Sequence, residues 1–287
     1  MKKIIILGLA AAMALFSTDS YAAEGWFSKK LKANGKKITE TRTSAMKFSQ
    51  IKVSRNIILI VEERTTGDIT VTADENIMPY VEMEVHDGVF RANLSDDITL
   101  RNGSANIYVR MPYNGKINDI EVSGASSVTV IPRIETQEFK ASAHGASVLK
   151  VNVKADKFQT KTSGSSNVNI TATADEVELY CSGASKLTAD VTAGDVYGEV
   201  SGASKATLKG KAQNASYESS GASSLDAEDL VTEKCTVECS GASIASVNCT
   251  SSLKAEASGA SKITYTGDCE LVNKSTTGAS SIYNKIK

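Results

Sequence analysis

Val177-Glu178-Leu179-Tyr180-Cys181-Ser182-Gly183-Ala184-Ser185-Lys186-Leu187 is the stretch on which the reading of this chain turns. Its central phrase, Ser182-Gly183-Ala184-Ser185, returns as Ser123-Gly124-Ala125-Ser126, Gly145-Ala146-Ser147, Ser163-Gly164-Ser165-Ser166, Ser201-Gly202, Ser220-Gly221, Ser240-Gly241, Ser258-Gly259 and Thr277-Gly278-Ala279-Ser280. Successive glycines stand 21, 19, 19, 19, 19, 20, 18 and 19 residues apart. The second residue after each of the nine glycines is Ser, and the first is Ala in every copy but one, where Ser165 stands. A near-constant period of this length is the signature of a repeat architecture and is read before any local structure.

The residues around the phrase decide which repeat it is. Before it, Val177, Leu179 and Cys181 alternate with Glu178 and Tyr180, and Cys235, Val237 and Cys239 alternate with Thr236 and Glu238. After it the alternation resumes, as in Val168 and Ile170 or Leu187 and Ala189. A period of two is a strand with one buried face. Polar or small residues such as Ala174-Asp175-Glu176 and Ala193-Gly194-Asp195 turn the chain between the two strands of each unit. Nineteen residues cannot close a sheet alone, but stacked units can, each pairing with the coils on either side. The expected fold is therefore an all-β solenoid, a parallel β-helix with one ~19-residue coil per repeat. Eight intervals of ~4.8 Å give a rod of roughly 38 Å. Two columns of the interior follow from the count. One, six residues before each glycine, is Phe139, Phe158, Val177, Val196, Ala215, Cys235, Leu253 and Val272. The other, four residues after it, is Val128, Leu149, Val168, Leu187, Ala206, Leu225, Ala245, Ile263 and Ile282. Leucine-rich repeats, propeller blades and calcium-binding nonapeptides each demand a phrase or period that is missing.

The glycines at the repeat corners, Gly124, Gly145, Gly164, Gly183, Gly202, Gly221, Gly241, Gly259 and Gly278, are expected to serve structure, through a positive φ or close approach of backbones. The serines beside them are expected to bond along their column. Nine equivalent serines and only two histidines, His86 and His144, offer a poor basis for a nucleophile and its base. Five cysteines forbid full pairing. Cys181 and Cys239 share a column three coils apart, about 14 Å, and Cys235 and Cys239 lie roughly 13 Å apart on one strand, so neither pair reaches. Cys249 and Cys269 fall near the same corner of neighbouring coils and are the pair expected to bridge. Outward-facing ladders are also predicted: Lys186 on Lys205, and Glu199, Glu218, Glu238 and Glu256 on another column. Asp226, Glu228 and Asp229 make the one local acidic cluster, read as a corner turn.

Upstream of the repeat, residues 39–119 alternate less regularly and are read as irregular first coils that cap the stack. The turn at His86-Asp87-Gly88 between two alternating runs is a hairpin signal, and Asn102-Gly103-Ser104-Ala105 resembles a degenerate further copy. Residues 120–287 are the regular coils. Residues 23–38, rich in Lys, read as a linker. Residues 1–22 read as a signal peptide: Lys2 and Lys3 precede an apolar Ile4–Phe16 run, too short to span a bilayer, with cleavage expected after Ala22. The chain is thus expected to be exported, to the periplasm, the outer surface or the medium, with no transmembrane segment in its mature form. Its 32 Lys+Arg against 33 Asp+Glu leave a charge of -1, with no nucleic-acid footprint. Two His and one Trp leave little for metal or acid–base chemistry, so no catalytic residue, metal ligand or cofactor is expected.

Several stretches together resemble one known family. These are Phe48-Ser49-Gln50-Ile51-Lys52-Val53, the Val85-His86-Asp87-Gly88 turn, Ile107-Tyr108-Val109-Arg110-Met111-Pro112, and Ile120-Glu121-Val122-Ser123-Gly124-Ala125-Ser126 with its reiterations. Over residues 40–287 the chain resembles the head GIN domain family of auto-transporter adhesins, a domain of unknown function common in Bacteroidetes-type bacteria. The resemblance implies a right-handed, single-stranded β-helix, exported, often lipid-anchored, with no established activity. No Cys follows the apolar run here to take such an anchor. The expected function is that of a non-catalytic, adhesin-like protein of the cell envelope, presenting repeated polar faces to a protein or glycan of the envelope or a host surface. The alternative is a β-helix that binds or degrades polysaccharide, which rests on fold analogy.

Overall fold

The computed structural model describes residues 4–5, 29–43, 47–101 and 106–285. Most of the expected signal segment, its cleavage point and the Asn102–Ala105 copy lie outside the described residues.

Twenty strands form one hydrogen-bonded sheet wound into a parallel β-solenoid with coils of about 19 residues. Lys186–Val200 shows how one coil is built. It pairs in parallel with Asn167–Cys181 on one side and Lys205–Ser219 on the other, residue for residue at an offset of 19. Leu187, Ala189 and Val191 face inward, the chain bends outward through Thr192–Asp195, and Val196 and Val200 face inward again. Only the four residues Ser201–Ser204 leave the strand before the next coil begins. Alternation thus dictates two buried edges per coil, and stacking supplies the partners that each edge lacks alone.

The core consists of the columns that stacking creates. Val128, Leu149, Val168, Leu187, Ala206, Leu225, Ala245, Ile263 and Ile282 lie in continuous register and are all buried, and Leu59 extends them by one coil. Phe139, Phe158, Val177, Val196, Ala215, Cys235 and Leu253 form the second column, its two phenyl rings stacked at 5.9 Å. The last member differs from expectation. Leu253 pairs with Leu271 and Lys254 with Asn273, so Val272 is an extra residue in the final coil and is 49% exposed. A one-residue bulge inverts which face a side chain takes, which a fixed count back from the glycine cannot detect.

The irregular N-terminal part is tied to the same axis. Gln50–Val53 pairs in parallel with Asp119–Val122, and Ile57–Glu62 with Ser127–Val130, as a first coil would. Its corner lacks glycine: Arg55 and Asn56 adopt φ of 59° and 68° themselves. Arg55 is held there by Ser95 O and Ile98 O, which accept from its guanidinium at 3.1 and 2.9 Å, and by Asp96. Beyond this coil the hairpin Val81–His86/Val89–Leu94 turns at Asp87-Gly88, both with positive φ, and lays Phe90 against Ile51. Residues 29–38, read from composition as a linker, contain strands. Lys29–Leu31 pairs with Ile98–Leu100, and Lys37–Thr43 runs antiparallel to Asp68–Asp74. The lysines belong to this ordered edge: Lys37 Nζ meets Asp74 at 2.6 Å and Lys36 Nζ meets Glu75 at 2.8 Å.

Candidate binding face

The repeated corner is the first feature to weigh for chemistry. All nine glycines have φ between +70° and +76°. For the eight from Gly145 onward, a β-carbon would lie 2.7–2.9 Å from the carbonyl oxygen of the preceding corner's glycine, and Gly124 faces the Arg55 nitrogen at 3.1 Å. The residue after each glycine donates its N–H to that same carbonyl at 2.7–2.8 Å. The inner serines, from Ser147 to Ser280, donate Oγ–H to a carbonyl 22–25 residues earlier, at 2.8–3.3 Å. Ser147, Ser166, Ser185, Ser204, Ser223, Ser243 and Ser261 are buried, so these bonds satisfy the hydroxyls themselves, on carbonyls that also accept a backbone N–H from the next coil. One corner serine does have a histidine partner, which the sequence reading missed. His144 occupies the position before Gly145, and its Nδ1 lies 2.7 Å from Ser163 Oγ one coil on. The offset of 19 between the two residues was the available signal.

The outward face of the second strand in each coil carries the densest functional groups. In one register column Lys161, Tyr180, Glu199, Glu218, Glu238 and Glu256 stack on successive coils. Four like charges repeat at the inter-coil spacing of ~4.8 Å, an arrangement that disfavours the folded state. Tyr197, on the adjacent column, donates its hydroxyl to Glu218 Oε1 at 3.0 Å, and its ring lies 5.8 Å from that of Tyr180. Lys161 Nζ stands 5.6 Å above the Tyr180 ring. Burial first, then the Glu218 carboxylate, push the Tyr197 hydroxyl up to about 12, so it stays a proton donor. Asn273 Nδ2 donates to Glu256 at 3.4 Å.

This ladder lines a groove of about 330 Å³ with Ser220, Ser240, Ser258 and Thr277 on its far wall. Alongside, a trough of about 450 Å³ is floored by Ser216 and Thr236 and bounded by Tyr197, Asn214, Lys234 and Lys254. At its N-terminal end the face is closed by a charge cluster. Lys157 Nζ bonds Glu176 at 2.9 Å and Glu178 at 2.7 Å, and Gln159 donates to Glu178 at 2.5 Å. Lys157, then Gln159, hold the Glu178 carboxyl down to about 2. The sequence reading named the Glu ladder but not the tyrosine pair. Tyr180 and Tyr197 are 17 residues apart, so they sit on neighbouring columns rather than one.

The first-strand face is different. Lys186 stacks on Lys205, and a groove of about 420 Å³ runs past Lys150, Asn152, Asn169, Thr171 and Asp190, the last paired with Lys209 at 3.0 Å. Asp226, Glu228 and Asp229 lie where the ladder shifts register, Asp226 beside Ser246 and Asp229 beside Lys209. Glu228 is tied to Lys285 at 2.6 Å. Among the described residues no three of His, Cys, Asp and Glu are grouped to hold a metal ion, and no helix is long and apolar enough to cross a membrane. The five cysteines carry free thiols. Cys181 and Cys239 lie on one column with Val200 and Ser219 between them. Cys249, its thiol donating to Glu233 O and Ser252 O, lies near Cys269 at the bend between the last two described coils, and burial, then Cys249, push Cys269 up to about 11.

The sequence profile described as "Putative auto-transporter adhesin, head GIN domain" matches residues 47–190 and 169–269. No curated protein matches the chain. Among solved structures, an adhesin from Parabacteroides merdae is similar at 20% identity and a TM-score of 0.68, covering 89% of this chain and 99% of its own. A Parabacteroides distasonis adhesin gives 22% and 0.68, over 89% and 100%. A protein of P. distasonis described as lipid binding gives 18% and 0.66, over 89% and 99%. At these identities the likeness is one of fold.

Proposed function

We propose that this chain, which belongs to the head GIN domain family of auto-transporter adhesins, is a non-catalytic envelope protein that binds a glycan or protein through the face bearing Tyr180, Tyr197 and the glutamate ladder. The observation that carries this reading is the register stack Glu199–Glu218–Glu238–Glu256 beside two half-buried tyrosine rings. Like charges stacked on neighbouring strands work against folding, and a face retained at that expense is one a ligand uses. Tyrosine rings offer flat, amphipathic contact area, and carboxylates accept hydrogen bonds from sugar hydroxyls or protein donors. The nine corner glycines serve to set the backbone spacing that keeps the ladder in line. The apolar N-terminal run supports export, which would place this face in the periplasm, at the outer surface or in the medium.

The test is a glycan array and a cell-adhesion assay with the purified chain. A double Glu218→Gln, Glu238→Gln variant and a Tyr197→Ala variant should each lose at least tenfold in binding, whereas Lys186→Ser on the other face should bind as the parent does. Equal binding by all variants overturns the assignment of the face. Release of reducing or unsaturated sugars from a panel of polysaccharides would instead make the chain a polysaccharide-degrading β-helix.

A further inference from the structure

We propose that Cys249 and Cys269 close a disulfide that staples the last coil of the solenoid to the one before it. Val247 pairs with Tyr265 and Asn248 with Thr266 in adjacent coils, which brings the two chains to the bend side by side. At the next position the contact is tighter still: a β-carbon at Gly267 would lie 2.1 Å from the Cys249 carbonyl oxygen. Two residues later, past the bend, Cys269 comes close enough to the Cys249 side chain for the two thiols to interact, while the Cys249 thiol itself points to Glu233 O and Ser252 O at 3.3 and 3.1 Å. The two coils keep an offset of 18, so Cys269 lies two positions past the residue opposite Cys249, and the bend at 267–269 has to bring it within the Cα separation of about 4.4–6.8 Å that a disulfide spans. Cys249 is buried and Cys269 half-buried, so an oxidant meets Cys269 first. Cys235 is buried nearby, but it belongs to a core column and pairs across to Leu253.

The location gives the bond its purpose. Among the described residues, Glu270–Thr276 and Ser281–Asn284 pair with the preceding coil alone, so these strands have half the partners of an inner coil. A crosslink at the entrance to these strands leaves them attached even when they open. The step balances with a disulfide-bearing oxidant, either a thiol oxidoreductase or oxidised glutathione. The Cys269 thiolate attacks the oxidant's sulfur and expels one thiolate, the Cys249 thiolate then attacks Cys269 Sγ and expels the second, and the oxidant leaves as two thiols. The raised Cys269 value makes the first attack slow at neutral pH and faster as pH rises.

The experiment uses the full chain treated with oxidised glutathione at mildly alkaline pH, then alkylated without reductant. Three alkylated cysteines and a peptide joining residues 249 and 269 are expected. Backbone amides of residues 270–284 should exchange hydrogen at least tenfold more slowly than in the reduced chain, while those of residues 167–200 stay unchanged. Cys269→Ser, at the half-buried position, should fold, alkylate at all four remaining thiols and show the faster exchange under either condition. Five alkylated cysteines in the treated parent, a link through Cys235, or equal exchange of residues 270–284 before and after oxidation overturns the proposal.

Discussion

A β-carbon placed on residue 202 would sit 2.7 Å from the Gly183 carbonyl oxygen, on a backbone with φ of +74°. Both terms act against any other residue: the left-handed conformation costs about 1–2 kcal/mol for an L side chain, and the clash adds to it. Gly202→Ala is therefore expected to lower the unfolding free energy by about 2–4 kcal/mol, read from urea denaturation. Ala203→Ser, at the position where Ser165 already stands in another copy, should change it by less than about 0.5 kcal/mol. Equal effects would remove the steric basis of the corner. These positions were legible in the sequence because a steric demand repeated every coil leaves a repeated residue. Arg55 and Asn56 were not, since they take the same conformation without glycine, Arg55 through side-chain bonds to Ser95, Asp96 and Ile98, residues with no fixed offset from the corner. Tyr217 is a different case: counting 19 twice from the inward Leu179 puts it on a core column, and its ring is buried in the space that Gly198 leaves one coil earlier.

Along a strand, inward residues set the stack and outward ones set its chemistry. Lys157 and Gln159 hold Glu178 near 2, below the ordinary 4.5 of a glutamate in the unfolded chain. A depressed value means that the ionised carboxylate stabilises the fold above about pH 4.5, and that this contribution disappears as pH falls from there through about 2. Lys157→Met should flatten the acid limb of a stability–pH profile between pH 5 and 2 and leave the shape above pH 6 unchanged. A limb as steep as the parent's would show that other groups govern acid unfolding. Column membership was readable by adding 19 to a residue number, which is why the glutamate ladder and the buried columns could be written down from sequence. The Lys157–Glu178 contact spans 21 residues and the Tyr180–Tyr197 contact 17, because long side chains lean diagonally across the pleat. Diagonal pairs, and the bulge at Val272, are where counting stops and side-chain reach takes over.

At the scale of the molecule, each coil touches its two neighbours and little else, so stability is a sum of nearly equal interfaces. Excising Asn167–Ser185, one whole coil, should leave a folded rod about 4.8 Å shorter, with Leu149 facing Leu187 and Phe158 facing Val196. Small-angle scattering and far-ultraviolet circular dichroism would read this. Excising nine residues from the same coil should abolish the fold, since nine is not a whole repeat and would lay corner residues against strand positions of the neighbouring coils. A folded product of the shorter excision would refute the register argument. The N-terminal cap was less legible than the rod because its antiparallel strands answer to one another rather than to a period. The corner bonds carry one further consequence. From Ala146 N–H on Gly124 O to Ala279 N–H on Gly259 O, eight short hydrogen bonds point the same way along the axis. Antiparallel pairs would cancel such dipoles, but here they add in series, and each polarises the next. The corner column is thus an electrostatic counterpart of a helix axis, giving the rod a polarity whose negative pole lies at the Gly278 carbonyl.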